Sequence, residues 1–110
     1  MVTKQKLSNR IEYRNEKGDL HRLDGPASEY YDGYKSWWIN GKVHREDGPA
    51  VEWSDGTKKW YINGKLHREN GPAIEHYDGS KQWCLNGDYY TEQEWQDEVI
   101  KIKLERLINL

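Results

Sequence analysis

The chain has 110 residues and a net charge of −2, with 35% hydrophobic and 33% charged residues, a length that supports one compact domain. That polarity alone would suit a disordered chain, but six Trp and eight Tyr supply the apolar area a core needs. No apolar run approaches the ~18 residues of a membrane span, no charged-then-apolar leader opens the chain and no long basic block appears, so the expectation is a soluble cytoplasmic protein that binds neither membrane nor nucleic acid.

Residues 1–10 read as an N-terminal extension carrying Lys4, Lys6 and Arg10. From Ile11 a period of 23 residues takes over. A partial copy, IEYRNEKGD, precedes three copies that align without a gap: LHRLDGPASEYYDGYKSWWINGK (20–42), VHREDGPAVEWSDGTKKWYINGK (43–65) and LHRENGPAIEHYDGSKQWCLNGD (66–88). Residues 11–90 are therefore expected to form one repeat sheet. Each copy carries an Asp-Gly and an Asn-Gly pair, Asp55-Gly56 and Asn63-Gly64 in the second, which are reversal signals between short antiparallel strands. Pro26, Pro49 and Pro72 each open a strand, where a missing N–H is tolerated. Alternation places Trp37, Trp60 and Trp83 on one face with Ile39, Ile62 and Leu85, the expected core face, and Trp38, Tyr61 and Cys84 on the other.

Residues 91–110 are expected to form a capping helix. Thr91 and Glu94 have capping-box spacing, after which Trp95, Val99 and Ile102 form one stripe and Ile100, Leu104, Leu107 and Ile108 another. A helix from Glu92 to about Ile108 follows, its wide apolar face lying across the sheet or its last strand, failing which it would dock on another chain. The fold expected is mainly β: a single antiparallel β-meander of about seven strands, built from three 23-residue repeats and capped by a C-terminal α-helix, advancing ~10 Å per copy.

The unit W-x-I-N-G-K-x-H-R-x-D-G-P-A-x-E-x-x-D-G resembles the membrane occupation and recognition nexus (MORN) repeat, most closely its bacterial and viral variants. The resemblance covers Ile11 to Asp88. It departs from the common family unit at Arg22, Arg45 and Arg68, where glycine usually follows the histidine, so a polar ladder is expected in place of close packing there. Family membership would imply a scaffold or binding module, with roles that include phospholipid binding, bacterial antitoxins and phage or giant-virus accessory proteins.

The His-Arg pairs with their nearby Asp and Glu residues look at first like catalytic parts. They recur once per copy, however, and a catalytic site is a single convergent constellation. The expectation is ladders ~10 Å apart, each Arg paired with an acid of its own or the next copy and each His bonded to a turn carbonyl. That spacing also denies the histidines a shared metal ion. No nucleophile stands beside a base, and no glycine-rich phosphate loop follows a strand. The lone Cys84 permits no internal disulfide and no cysteine zinc cage, and reads as a half-buried structural residue. His76 reads as a surface substitution. No catalytic residue, metal or cofactor is expected.

Residues that vary between copies are free of the repeat's demands. Tyr30, Tyr31, Tyr34, Trp38, Trp53, Tyr61 and Tyr77 would form a Tyr/Trp-rich patch on one sheet face, with Arg and Lys close by. The expected function is a non-catalytic protein-binding module, of the kind that inhibits or masks a specific partner, with self-association through an open edge or face as a further expectation. The alternatives are carbohydrate or cell-wall recognition by exposed rings, which lacks a secretion signal here, and binding to a phospholipid surface, which the acidic balance opposes.

Overall fold

Tight turns set the strand lengths in the computed structural model, which describes residues 1–109. At the Asn-Gly turns both residues take positive φ, for example Asn63 at 51° and Gly64 at 81°. This geometry matches the twist of a two-residue hairpin and is open to Asn and Gly at little cost. At the Asp-Gly turns the Asp carboxylate accepts the N–H two residues on, as in Thr57 N to Asp55 Oδ1 at 2.9 Å. A fold of short antiparallel strands results.

The strands are β1 (Thr3–Lys6), β2 (Arg10–Arg14), β3 (Ser28–Tyr30), β4 (Lys35–Ser36), β5 (Trp38–Ile39), β6 (Lys42–Val43), β7 (Val51–Glu52), β8 (Lys58–Lys59), β9 (Tyr61–Ile62), β10 (Lys65–Leu66), β11 (Ile74–Glu75), β12 (Lys81–Leu85) and β13 (Asp88–Tyr90), followed by the helix α1 (Glu92–Ile108). Nine form one antiparallel sheet in the order β1-β2-β3-β4-β7-β8-β11-β12-β13, with β5–β6 and β9–β10 as separate hairpins. Backbone bonds tie each Asn-Gly turn to the first residue of its own copy, which in the second and third copies ends the preceding hairpin: Gly41 N to Leu20 O at 2.9 Å, and Gly64 N to Val43 O and Gly87 N to Leu66 O at 2.8 Å each. The slab measures 45 × 37 × 18 Å. No helix among the described residues is long and apolar enough to cross a membrane.

Three features differ from the sequence expectation. The sheet has nine strands rather than about seven, partly because Thr3–Lys6 pairs with β2 from Thr3↔Arg14 to Lys6↔Ile11. Residues 3–6 of the expected N-terminal extension thus form an edge strand of the sheet. All four are exposed and Lys4 and Lys6 stand among them, which discourages pairing with another edge. The second difference is the core. Its fully buried members include Ala27, Ala50, Ala73 and Cys84, joined by Val51, Ile74, Leu85 and the polar Ser36, whereas Trp37, Ile39, Trp60 and Ile62 are only half-buried. A second layer covers only the third copy, so the expected core face stays partly open over the first two.

The third concerns the helix. Its capping box forms as expected, with Glu94 N donating to Thr91 Oγ1 at 3.2 Å and Thr91 N to Glu94 Oε1 at 2.9 Å. Trp95 and Val99 are buried against Leu85, with Trp83, Tyr90 and Ile102 around them. The second stripe does not reach the sheet: Ile100, Leu104, Leu107 and Ile108 are 57%, 54%, 66% and 80% exposed. At 100° per residue the two stripes lie about 150° apart, so one flat sheet cannot bury both.

Candidate functional site

The arginines that follow the repeated histidines stack on aromatic rings. Arg22 lies over Tyr13 and Arg45 over Trp37 at 3.9 Å from the ring centroids, and Arg68 over Trp60 at 3.8 Å. Each guanidinium is also held at its edge. Arg45 Nε donates to Asp47 Oδ1 at 3.0 Å and its Nη1 to the Pro49 carbonyl at 3.0 Å; Arg22 does the same with Asp24 and Pro26. Arg68 reaches Asn70, Pro72 O and Glu75. On the remaining side sits a glycine: a Cβ added at Gly71 would meet Arg68 Cζ at 2.7 Å. Ring, guanidinium and glycine make a tight stack, and of the two expected pairings, with an acid of the same copy or of the next, the first is formed, by Asp24, Asp47 and Glu75.

The histidines depart from expectation. His21, His44 and His67 accept the backbone N–H of Asn40, Asn63 and Asn86 at Nδ1, at 2.9, 2.9 and 3.0 Å. A backbone N–H can only donate, so each neutral ring carries its proton on Nε2 and none uses Nδ1 to donate to a carbonyl. At His67 that Nε2 lies 2.9 Å from Glu69 Oε2. Among the described residues, no group of three or more His, Cys, Asp and Glu is placed to hold a metal ion. Burial pushes the Cys84 thiol up from its ordinary range, opposite to the shift that makes a reactive thiolate.

The aromatic residues divide into three groups. Tyr30, Tyr34 and Trp53 form a chain of edge-to-face contacts, with centroids 5.2 Å apart for Tyr30–Tyr34 and 5.5 Å for Tyr34–Trp53. Arg10 lies 5.5 Å from the Tyr30 ring and Lys59 5.0 Å from that of Trp53. Tyr61 belongs with this cluster: burial first, then its neighbours Tyr89, Tyr34 and Cys84, raise its phenol pKa. Tyr31 and Tyr77 instead sit at the Asp-Gly turns of the first and third copies, 62% and 72% exposed. Trp38 stands apart, its Nε1–H donating to Ser36 Oγ at 2.8 Å. Sequence reasoning missed Tyr89, which is exposed and pairs across the strands with Cys84; the second face it assigned to Cys84 was the available signal.

Two grooves open on the Trp37 and Trp60 side, which the sequence assigned to the core. The first, about 770 Å³, is floored by Trp37 and Ile39; the second, about 930 Å³, by Trp60 and Ile62. Every position lining the first has its counterpart 23 positions later in the second, with Glu46 in place of Leu23 and Asn70 in place of Asp47, so they are one site twice with those two changes. The second is additionally bordered by Ile102, Lys103 and Arg106 of α1. Arg106 makes a forked pair with Glu69, at 2.6 and 2.8 Å, and these hydrogen bonds, first among its causes, hold the Glu69 carboxyl below the ordinary carboxylate range. Comparison with family models, curated proteins and solved structures gives no significant match.

Proposed function

We propose that this chain is a non-catalytic protein-binding module built from MORN-like repeats, and that it holds its partner through the tyrosine and tryptophan face. The recurrence of the Arg-aromatic stack and of the His to Asn backbone bond at 23-residue intervals supports the repeat reading. The observation that carries the functional reading is the position of α1. It packs on Trp83, Leu85 and Tyr90, residues outside the seven aromatic candidates. Tyr31 and Tyr77 stay largely exposed beside a ring cluster edged by Arg10 and Lys59. Exposed Tyr together with half-buried Tyr, Trp and Arg is the composition of interface hot spots, where large rings give contact area at little cost in conformational entropy. Such a module acts by masking or scaffolding its partner.

The test is capture of a protein partner from the lysate of the source cell, comparing the natural chain with Tyr31→Ser/Tyr77→Ser. Both residues are exposed at turns, so the double variant keeps its fold and its circular dichroism. The reading expects a stoichiometric partner on the natural chain and its loss on the variant. Equal retention by both chains, or no retained protein at all, refutes it.

A further inference from the structure

The two open grooves have a third counterpart, and α1 fills it. Adding 23 to the second groove's Arg45, Glu46, Trp60 and Ile62 gives Arg68, Glu69, Trp83 and Leu85. All four are engaged by α1. Trp95 packs its ring on Trp83, centroids 4.6 Å apart, and donates Nε1–H to Arg68 O at 2.8 Å. Leu85 is buried with Trp95 and Val99, and Glu69 receives Arg106. The groove series is therefore a series of helix seats, one of them occupied within the chain.

The empty second seat and the unused stripe of α1 are complementary. Its floor is Trp60 and Ile62, and Glu46 on its wall is exposed and makes no ion pair among the described residues, where the equivalent Glu69 is paired. A helix seated there must present an aliphatic stripe flanked by a cation. The outer face of α1 is such a stripe: Ile100, Leu104 and Leu107 at i, i+4 and i+7, with Lys101 and Lys103 on its two sides.

The stripe also borders the empty seat. Lys103, which lines the second groove, stands between Val99 and Leu107 in one row of i+4 steps along α1. Adjacent seats are spaced by two strands, about 9.6 Å, within the 8–10 Å at which two helices pack side by side.

We propose that a second copy of this chain occupies the seat. In the two-fold dimer the slabs face each other with the two α1 helices side by side between them. Each helix rests its inner face on its own Trp83 and Leu85 and its outer stripe on the partner's Trp60 and Ile62. The arrangement is isologous and closes, burying both apolar stripes and both groove floors at once. Lys101 or Lys103 of each helix meets Glu46 of the other copy. The tyrosine face lies outside this interface, so the proposal stands or falls independently of the partner reading.

Sedimentation equilibrium across low to high micromolar concentrations tests it. The natural chain is expected to dimerise. Leu104→Glu, at an exposed position, is expected to raise the dimer Kd about 30-fold or more with an unchanged helix signal. Glu46→Lys is expected to weaken the dimer several-fold, and Lys101→Glu/Lys103→Glu in the same chain to restore it. A natural chain that stays monomeric at high micromolar concentration overturns the proposal and leaves the seat to another protein's helix; so does a dimer indifferent to both Leu104→Glu and Glu46→Lys.

Discussion

Removing the Trp95 side chain tests whether one residue closes the array. The ring is 8% exposed, packs on Trp83 at 4.6 Å and donates a 2.8 Å hydrogen bond to Arg68 O, with Leu85 and Val99 in the same cluster. Trp95→Ala loses that buried area and leaves a cavity, a change worth about 3–5 kcal/mol. Unfolding entropy of about 2.1 cal/mol/K per residue gives about 0.23 kcal/mol/K for 110 residues. The midpoint should therefore fall by about 13–22 °C, a large share of the stability of a domain this size. Trp95→Phe keeps most of the area and loses only the hydrogen bond, at about 1 kcal/mol or roughly 4 °C. Differential scanning calorimetry, with circular dichroism at 222 nm to follow the helix, reads both. A Trp95→Ala midpoint within about 4 °C of the natural chain, the size of the Phe effect, would show that α1 is held by something other than this ring.

Gly71→Ala puts a methyl 2.7 Å from Arg68 Cζ and is expected to cost about 1–3 kcal/mol; in an Arg68→Ala background the same change should cost far less, which a double-mutant cycle in urea measures. Asn63→Gly should be nearly neutral and Asn63→Val clearly destabilising by thermal melt, because φ is 51° there. Glu12 and Glu69 are held below the ordinary carboxylate range by hydrogen bonds from Arg10 and Arg106 respectively. Their folded values lie below the unfolded ones, so the stability they add is present above about pH 4.3 and lost as pH falls through the folded values. The midpoint should drop between neutral pH and pH 3, and Glu12→Gln/Glu69→Gln should flatten that drop.

Much of the fold is legible in the sequence because its determinants are local. Asn-Gly and Asp-Gly turns and Thr91 with Glu94 act within a few residues, and α1 runs from Glu92 to Ile108 as the caps and periodicity indicate. Layering is not local. Alternation separates Trp37 from Trp38, but which face is covered depends on where α1 lies, and that is decided by Trp83, Leu85, Tyr90 and Glu69 together. Thr3–Lys6 is polar throughout and lacks the alternation of a half-buried strand, so only its pairing with β2 reveals it. The aromatic candidates were recognisable as types; the contact of Tyr34 with Tyr30 arises within the β3–β4 hairpin of one copy, and its contact with Trp53 from the β4–β7 pairing that brings consecutive copies together.

The stacked arginines give the array a direction, and that direction explains its two ends. Each Arg covers a ring that precedes it: Tyr13 for Arg22, Trp37 for Arg45 and Trp60 for Arg68. A guanidinium over a ring contributes about 0.5–2 kcal/mol, more as water is excluded, and here it also ties the Pro carbonyl and an acid or amide of its own loop. The last ring, Trp83, has no such partner, because the position 23 beyond Arg68 is Thr91. Thr91 starts a helix instead, and one turn later Trp95 supplies the missing cover with its ring while its N–H holds the preceding loop at Arg68 O. The C-terminal cap thus replaces a cation on a ring with a ring on a ring. At the other end Tyr13 needs no preceding copy, and the sheet stops at β1, whose Lys4 and Lys6 oppose further pairing. Stacking closes one end and charge protects the other, which leaves the faces and the outer stripe of α1 as the open surfaces of the slab.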